Sequence, residues 1–150
     1  MALILSGDTG VPASGMPTGS VIQTVTTTST SYVQNSTSTY ADSGLAVNIT
    51  PISATSKILV IAYCGQCGKT ANDTQMNFQI TRAGSSIYTA SALNTGSAVL
   101  FVSNVTLTYL DSPSTTSTIQ YKIQFANRDT GTAQFNLNGT AILTLQEIHG

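Results

Sequence analysis

The sequence predicts an all-β protein: an antiparallel β-sandwich, a jelly roll of eight or nine strands, with an extended N-terminal arm. Three observations support this prediction. Apolar and polar residues alternate along most of the chain, as in strands with one buried face. Gly, Pro, Asn and Ser separate these segments, as turn residues do. No segment has a helical apolar period that lasts ten residues.

The first nineteen residues differ from the rest, so we divide the chain into an arm, residues 1–19, and one sandwich domain, residues 20–150. Glycines and prolines interrupt any regular element in the arm. Five apolar side chains are expected to contact a neighbouring protein: Leu3, Ile4, Leu5, Val11 and Met16. The alternative is a strand that packs on its own domain.

The first half of the domain contains three apolar strand patterns and a Ser/Thr tract. Val21–Val25 begins the domain, and the tract follows over residues 26–39. Leu45–Ile49 alternates cleanly and ends at Pro51. Lys57–Tyr63 is continuously apolar after its lysine, which is typical of a strand buried on both faces.

The second half begins with the alternating segment Met76–Ile80 and a turn signal at Ala83-Gly84-Ser85. Further strands are predicted at Ile87–Tyr88, Val99–Leu110, Ile119–Phe125, Phe135–Leu137 and Ala141–Ile148. The strand that starts at Val99 is long enough to be bent or bulged. Asn138-Gly139 predicts a hairpin between the last two strands.

Charge is scarce, since five Lys and Arg and six Asp and Glu make up 7% of the chain, against about 25% in an ordinary domain. Little remains for acid–base catalysis, and a net charge of −1 offers no attraction to nucleic acid. Charged side chains usually prevent strand edges from associating. We therefore expect many strand faces and edges to be covered in an assembly. The alternative is a monomer kept soluble by its hydroxyl groups.

The chain shows no sequence feature of a membrane or exported protein. Its longest apolar stretch, Ile58–Cys64, is far shorter than the roughly 20 residues that cross a bilayer. Met1–Ser6 lacks a basic region and has too few apolar residues for a secretory signal. We expect synthesis in a cytoplasm and no membrane partner.

Cys64-Gly-Gln-Cys67 has the spacing of a redox or zinc-binding pair. A structural zinc site needs four ligands, and the only His and the carboxylates are remote in sequence. Redox pairs begin a helix in an α/β fold, which this chain lacks. We expect two thiols, or a strained local disulfide, in the loop after a buried strand.

Other candidate sites are weaker. Gly68-Lys69-Thr70 lacks the upstream glycine of a phosphate-binding loop, because Tyr63 occupies that position. His149 lies two residues from Glu147, and we interpret this as a polar chain end rather than part of a hydrolase triad. No spacing singles out a carboxylate pair for glycoside cleavage. No catalytic residue, metal, cofactor or small-molecule substrate is predicted.

Several short segments occur in a fixed order along the chain: Met1–Gly10, Met16–Val21, Leu45–Pro51, Ser56–Val60, Leu110–Pro113 and Ile142–Ile148. Their order resembles that in small virion proteins of tailed bacteriophages, particularly those that infect cyanobacteria. The resemblance covers most of the chain, although Cys64–Ala98 matches nothing in that group. It implies a trimeric jelly-roll module without catalytic residues, used as a head decoration (cement) protein or as a tail fibre.

A single sandwich with an arm, and no shaft or tail-docking domain, favours a decoration protein on the outer capsid surface of the virion. We expect a homotrimer whose arm binds the major capsid protein by main-chain pairing and apolar anchors. The alternative is a tail-fibre tip that recognises a host surface glycan. Its aromatic platform would come from Tyr32, Tyr40, Tyr63, Tyr88, Tyr109 and Tyr121. We favour core or interface packing for these tyrosines.

Overall fold

Ten strands form in the part of the chain that the structure, a computed structural model, describes: residues 12, 15–72, 74–94 and 101–150. They are β1 (Val21–Ser29), β2 (Val33–Asn35), β3 (Ala41–Ile49), β4 (Lys57–Lys69), β5 (Gln75–Arg82), β6 (Ser85–Asn94), β7 (Phe101–Asp111), β8 (Ile119–Asn127), β9 (Ala133–Phe135) and β10 (Ala141–Ile148).

The strands form two antiparallel sheets that face each other. The larger sheet has the order β1-β10-β4-β7, and the short strands β9 and β2 extend it beyond the end of β10. The smaller sheet has the order β3-β8-β5-β6. The eight long strands thus have jelly-roll topology, because consecutive long strands, apart from β5 and β6, lie in opposite sheets, as in two interleaved Greek keys. The predicted fold class is confirmed, and β2 and β9 are two short additions.

Alternation of side chains builds the core, as predicted. Alternate residues from Ile58 to Ala62 on β4 and from Tyr121 to Phe125 on β8 are fully buried and face each other between the sheets. The rings of Phe125 and Phe135 stack with their centroids 5.5 Å apart.

The turn predicted at Ala83-Gly84 joins β5 and β6. Arg82 pairs with Ser85, so the loop has two residues, with φ angles of 49° at Ala83 and 85° at Gly84. Two positive φ angles define a type I′ turn, whose twist matches that of the flanking strands. This hairpin prediction is confirmed.

A bulge in β4 corrects two predictions. The register with β7 shifts between Tyr63 and Gln66, so the extra residue lies on β4 and not on β7. Gly65 has a φ of 64°, and a Cβ there would lie 2.5 Å from Oδ1 of Asn136. Only glycine fits this position without displacing its neighbour. The expected loop after Tyr63 is therefore wrong: the bulge lets the strand continue to Lys69.

The hairpin predicted at Asn138-Gly139 is also wrong. β9 and β10 do not pair with each other; they lie end to end along one edge of β4. β10 pairs with Lys57–Tyr63 and β9 with Gly68–Lys69. Their connection runs beside the bulge, where the backbone N–H of Leu137 donates to the carbonyl of Gln66 at 2.8 Å. A long bulged strand thus has room for two short partners on one side.

A buried polar contact joins the two sheets at one end of the sandwich. Asp111, which ends β7, is 5% exposed. Its carboxylate accepts hydrogen bonds from Nη1 of Arg82 at 2.9 and 3.0 Å and from the Tyr121 hydroxyl at 2.6 Å. Burial, together with the hydrogen bond to Asp111, raises the pKa of Tyr121. Because Arg82 and Tyr121 belong to the smaller sheet, Asp111 links the sheets directly.

We expect Asp111→Asn to lower the free energy of unfolding by about 1–3 kcal/mol, because it removes the charge from a buried, fully hydrogen-bonded pair. The matched control is Asp42→Asn, which breaks an ion pair with Lys122 in which the Asp42 side chain is 53% exposed. Exposed pairs contribute about 0–1 kcal/mol. Urea unfolding of both variants is the measurement. Equal losses would show that the Asp111 contact does not hold the sheets together.

Candidate interaction surface

The outer face of the larger sheet carries apolar and hydroxyl side chains where an exposed sheet usually carries charge. We name it the neutral face: even-numbered residues 24–28 of β1, 142–148 of β10 and 102–110 of β7, with odd-numbered residues 57–63 of β4. Lys57, at one end of β4, is the one charged residue among these positions. The remainder are Thr, Ile, Leu, Val, Tyr, Gln and Asn.

β4 is apolar on both faces from Ile58 to Tyr63, but the described residues cover only one of them. Alternate residues from Ile58 to Ala62 are fully buried in the core. On the neutral face Leu59 and Ile61 are half-buried, and Tyr63 is exposed. The expectation that this strand is buried on both faces is therefore wrong for the isolated chain, because no layer of the described residues lies over its outer side.

Most of the large exposed apolar side chains among the described residues lie on or beside the neutral face. Leu110 is 49% exposed and Val102 is 41% exposed. Tyr63 and Ile142 accompany them, and Val21 lies opposite Ile148 at the corner of the face. Scattered apolar residues are ordinary on a protein surface, but here Ile142 lies opposite Tyr63 and Leu110 lies opposite Leu59, so these apolar residues adjoin others on the same face.

The outer face of the smaller sheet is different, because its polar groups bond to one another. Nε2 of Gln79 donates to Oε1 of Gln124 at 2.5 Å, and Nε2 of Gln124 donates to Oδ1 of Asp42 at 2.6 Å. Nζ of Lys122 donates to Oδ2 of Asp42 at 2.9 Å. Hydrogen bonds from Lys122 and Gln124 hold the pKa of Asp42 below its usual value. This face is hydrophilic and internally paired, so the sandwich has two unlike sides.

The base of the arm lies at the edge of the larger sheet. Of the predicted contact residues, Met16 is described and is half-buried. The backbone N–H of Gly19 donates to the carbonyl of His149 at 2.8 Å, and the N–H of His149 donates to Ser20 at 2.8 Å. The other predicted contact residues lie outside the described residues: Leu3, Ile4, Leu5 and Val11.

A cavity of about 250 Å³ lies between the base of the arm and the neutral face. Leu110, Ile148 and Lys57 line it from the sheet, and Gly19 and His149 line it from the arm side. Small-molecule sites usually occupy about 300–1,000 Å³ and present several converging polar groups. This apolar cavity suits a protruding side chain of a partner better than a substrate.

The two cysteines lie at the bulge in β4, inside the core. Both thiols are free and buried, and Sγ of Cys67 donates to the carbonyl of Cys64 at 3.3 Å. Burial raises the pKa of Cys64, and burial raises the pKa of Cys67 to about 12. The thiolate needed for redox chemistry or metal binding is therefore disfavoured at both positions. Their predicted position in a loop is wrong, because both lie within β4.

Glu147 is not part of a polar chain end, as the sequence suggested, because its side chain is buried. It is fully buried on the core side of β10, and Oε1 accepts hydrogen bonds from the backbone N–H groups of Ile52 at 2.8 Å and Ser53 at 3.2 Å. Glu147 thus anchors the turn before β4. His149 lies beyond the end of β10 and is joined to the arm through its backbone.

The tyrosines do not form one exposed platform. Tyr121 is fully buried, and the Tyr88 and Tyr109 rings pack against each other at 5.3 Å. Tyr32 and Tyr63 are the exposed members. Among the described residues, no three His, Cys, Asp or Glu side chains form a group that could hold a metal, and no helix is long and apolar enough to span a membrane.

Sequence reasoning did not single out the neutral face as a site. Its signal was present in two patterns: an unbroken apolar run over residues 58–64 of β4, and alternate threonines at 24, 26 and 28 of β1 and at 106 and 108 of β7. Neither pattern identifies the residues that share a face, because that requires the pairing register of β4 with β10 and β7. The pairing of Leu59 with both Gln146 and Leu110 provides that register.

No protein-family model and no curated protein sequence matches the chain. Among solved structures, it is similar to the VP2 subviral particle of infectious bursal disease virus, at 14% identity and a TM-score of 0.45, over 87% of this chain and 34% of that one. It is also similar to the structure of the Gx strain of that virus, at 15% identity and a TM-score of 0.44, over 100% of this chain and 38% of that one. The chain thus spans less than two fifths of those viral chains, and its jelly-roll assignment rests on its own strand order.

Proposed function

We propose that the chain is a virion structural protein: a trimeric head decoration (cement) protein that binds the outer capsid surface of a tailed bacteriophage and stabilises the shell. The observation that carries this proposal is the neutral face, where no part of the chain that the structure describes covers the apolar outer side of β4. The segments that resemble small phage virion proteins, among them Ser56–Val60 and Ile142–Ile148, support the same role.

The occupant of the neutral face is a second copy of the chain. Because the face holds almost no charge, two copies approach without like-charge repulsion. Four strands spaced about 4.8 Å apart, each about nine residues long, give a face of about 19 by 30 Å, or about 570 Å². A stable interface buries about 800 Å² on each partner. In a cyclic trimer each copy uses two different patches, so the neutral face supplies most of one contact.

The arm is the part that binds the capsid. Its base is fixed beside β10 by the hydrogen bonds between Gly19, Ser20 and His149. The apolar residues Leu3, Ile4 and Leu5 lie well ahead of that anchor in sequence. Extended segments bind other proteins by main-chain pairing with side chains in pockets. Trimerisation and capsid binding therefore use separate parts of the chain, which can be tested independently.

The double variant Leu110→Lys, Ile142→Lys tests the trimer contact. Each lysine places a charge on the neutral face, and burying it unpaired against another copy costs several kcal/mol. Both side chains are already exposed, so the fold should remain. Light scattering should give a trimer for the unchanged protein and a monomer for the variant, with the same β-sheet circular dichroism.

The control is Gln120→Lys, which adds one lysine charge to an exposed position on the outer face of the smaller sheet. It should remain a trimer. A double variant that stays trimeric, or a control that dissociates as readily, would contradict the assignment of the contact to the neutral face.

Deletion of residues 2–11 tests the arm. This variant keeps the described segment from Gly15 to Ser20 and its bonds to His149, so the sandwich and the trimer should persist. It loses four of the five predicted anchors, Leu3, Ile4, Leu5 and Val11. Binding to capsids that lack the protein, measured by co-sedimentation, should fall at least tenfold. Undiminished binding by a folded trimer would refute the role of the arm.

A further inference from the structure

A lysine and an asparagine meet in the interior at the end of the sandwich opposite Asp111. Lys69 is the last residue of β4 in the larger sheet, and Asn127 is the last residue of β8 in the smaller sheet. Lys69 is fully buried and Asn127 is 1% exposed. Lysine is among the residues least often found fully buried. Its burial here therefore indicates a specific role for its amino group.

The two side chains touch through their functional groups. Nζ of Lys69 donates a hydrogen bond to Oδ1 of Asn127 and another to the carbonyl of Thr130 at 3.2 Å. Nδ2 of Asn127 donates to the carbonyl of Gly131 at 2.8 Å. The asparagine amide is thus fixed between the amine on one side and a backbone acceptor on the other. The amine lies against the carbonyl group whose carbon it could attack.

The surroundings favour the neutral, nucleophilic amine. No carboxylate of the described residues lies within ion-pair distance of Nζ. Burial lowers the pKa of Lys69, and the charge of Asp129 opposes this effect. A desolvated lysine with a lowered pKa acts as a nucleophile, as in enzymes that use lysine for covalent chemistry.

We propose that Lys69 and Asn127 join in an intramolecular isopeptide bond. Nζ attacks Cγ of Asn127, a C–N bond forms, and the bond between Cγ and Nδ2 breaks. The proton that Nζ loses is gained by the departing nitrogen, which leaves as ammonia, so no oxidant, reductant or co-reactant is needed.

The fold supplies what the reaction needs. Two groups held in contact react with effective concentrations far above those in free solution. Exclusion of water from the buried site protects the product from hydrolysis. The product would tie β4 to β8, and therefore one sheet to the other, in a chain whose two cysteines form no disulfide. A covalent link between the sheets suits a protein under mechanical load.

The intact mass of the purified protein tests the proposal. We expect a mass lower than the sequence mass by one ammonia. Trypsin should fail to cleave after Lys69 and should release peptide 58–82 joined to peptide 123–128. A protein at its full sequence mass, with Lys69 cleaved normally, would overturn the proposal.

Two variants separate this bond from other losses of ammonia. Lys69→Arg keeps the charge and the hydrogen-bond donors but has no nucleophilic amine, and Asn127→Ala removes the amide that is attacked. Both should have their full sequence masses. A cyclic imide at Asn138-Gly139 would also lose ammonia, but it would persist in both variants and would be opened by hydroxylamine. Ammonia loss that survives in Lys69→Arg would therefore overturn the proposal.

Discussion

The structure depends on the burial of β4, the long strand at the centre of the larger sheet. It pairs with β10 and β9 on one side and with β7 on the other. Its alternate residues from Ile58 to Ala62 are fully buried in the core between the sheets. Its opposite side is also apolar from Leu59 to Tyr63, yet no described element of the chain covers it. A strand that is hydrophobic on both faces gains its full burial only when something packs on the second face. The outer side of β4 is therefore the surface on which we propose that a second copy packs.

Three of the nine charged residues that the structure describes are buried inside the molecule. Asp111, Glu147 and Lys69 are buried, and each forms a hydrogen bond between two parts of the fold. Asp111 and Lys69 each join the larger sheet to the smaller one, and Glu147 joins β10 to the turn before β4. The charge left on the surface is accordingly even smaller than the composition implies. Contacts made by such a surface rely on apolar area, hydroxyl groups and amides, which salt screens little.

The fold class followed from local sequence patterns, because alternation and turn residues report directly on strands and on hairpins such as Ala83-Gly84. The errors arose where partners distant in sequence decide the local structure. Asn138-Gly139 is a residue pair typical of hairpin turns, but β9 and β10 do not pair with each other. Both pair with β4, on either side of the bulge at Gly65. Neither the neutral face nor the contact of Lys69 with Asn127 could be predicted, because both require the register of strands far apart in the chain.

The most direct test of the account is the mass in solution of the unchanged protein, measured by light scattering at low and at high ionic strength. The account predicts three copies of the 15.6 kDa chain at both, since the contact holds almost no charge for salt to screen. A single-chain mass under both conditions would show that the neutral face is open to solvent. A trimer that dissociates as the salt concentration rises would show that charges outside this face hold the assembly together.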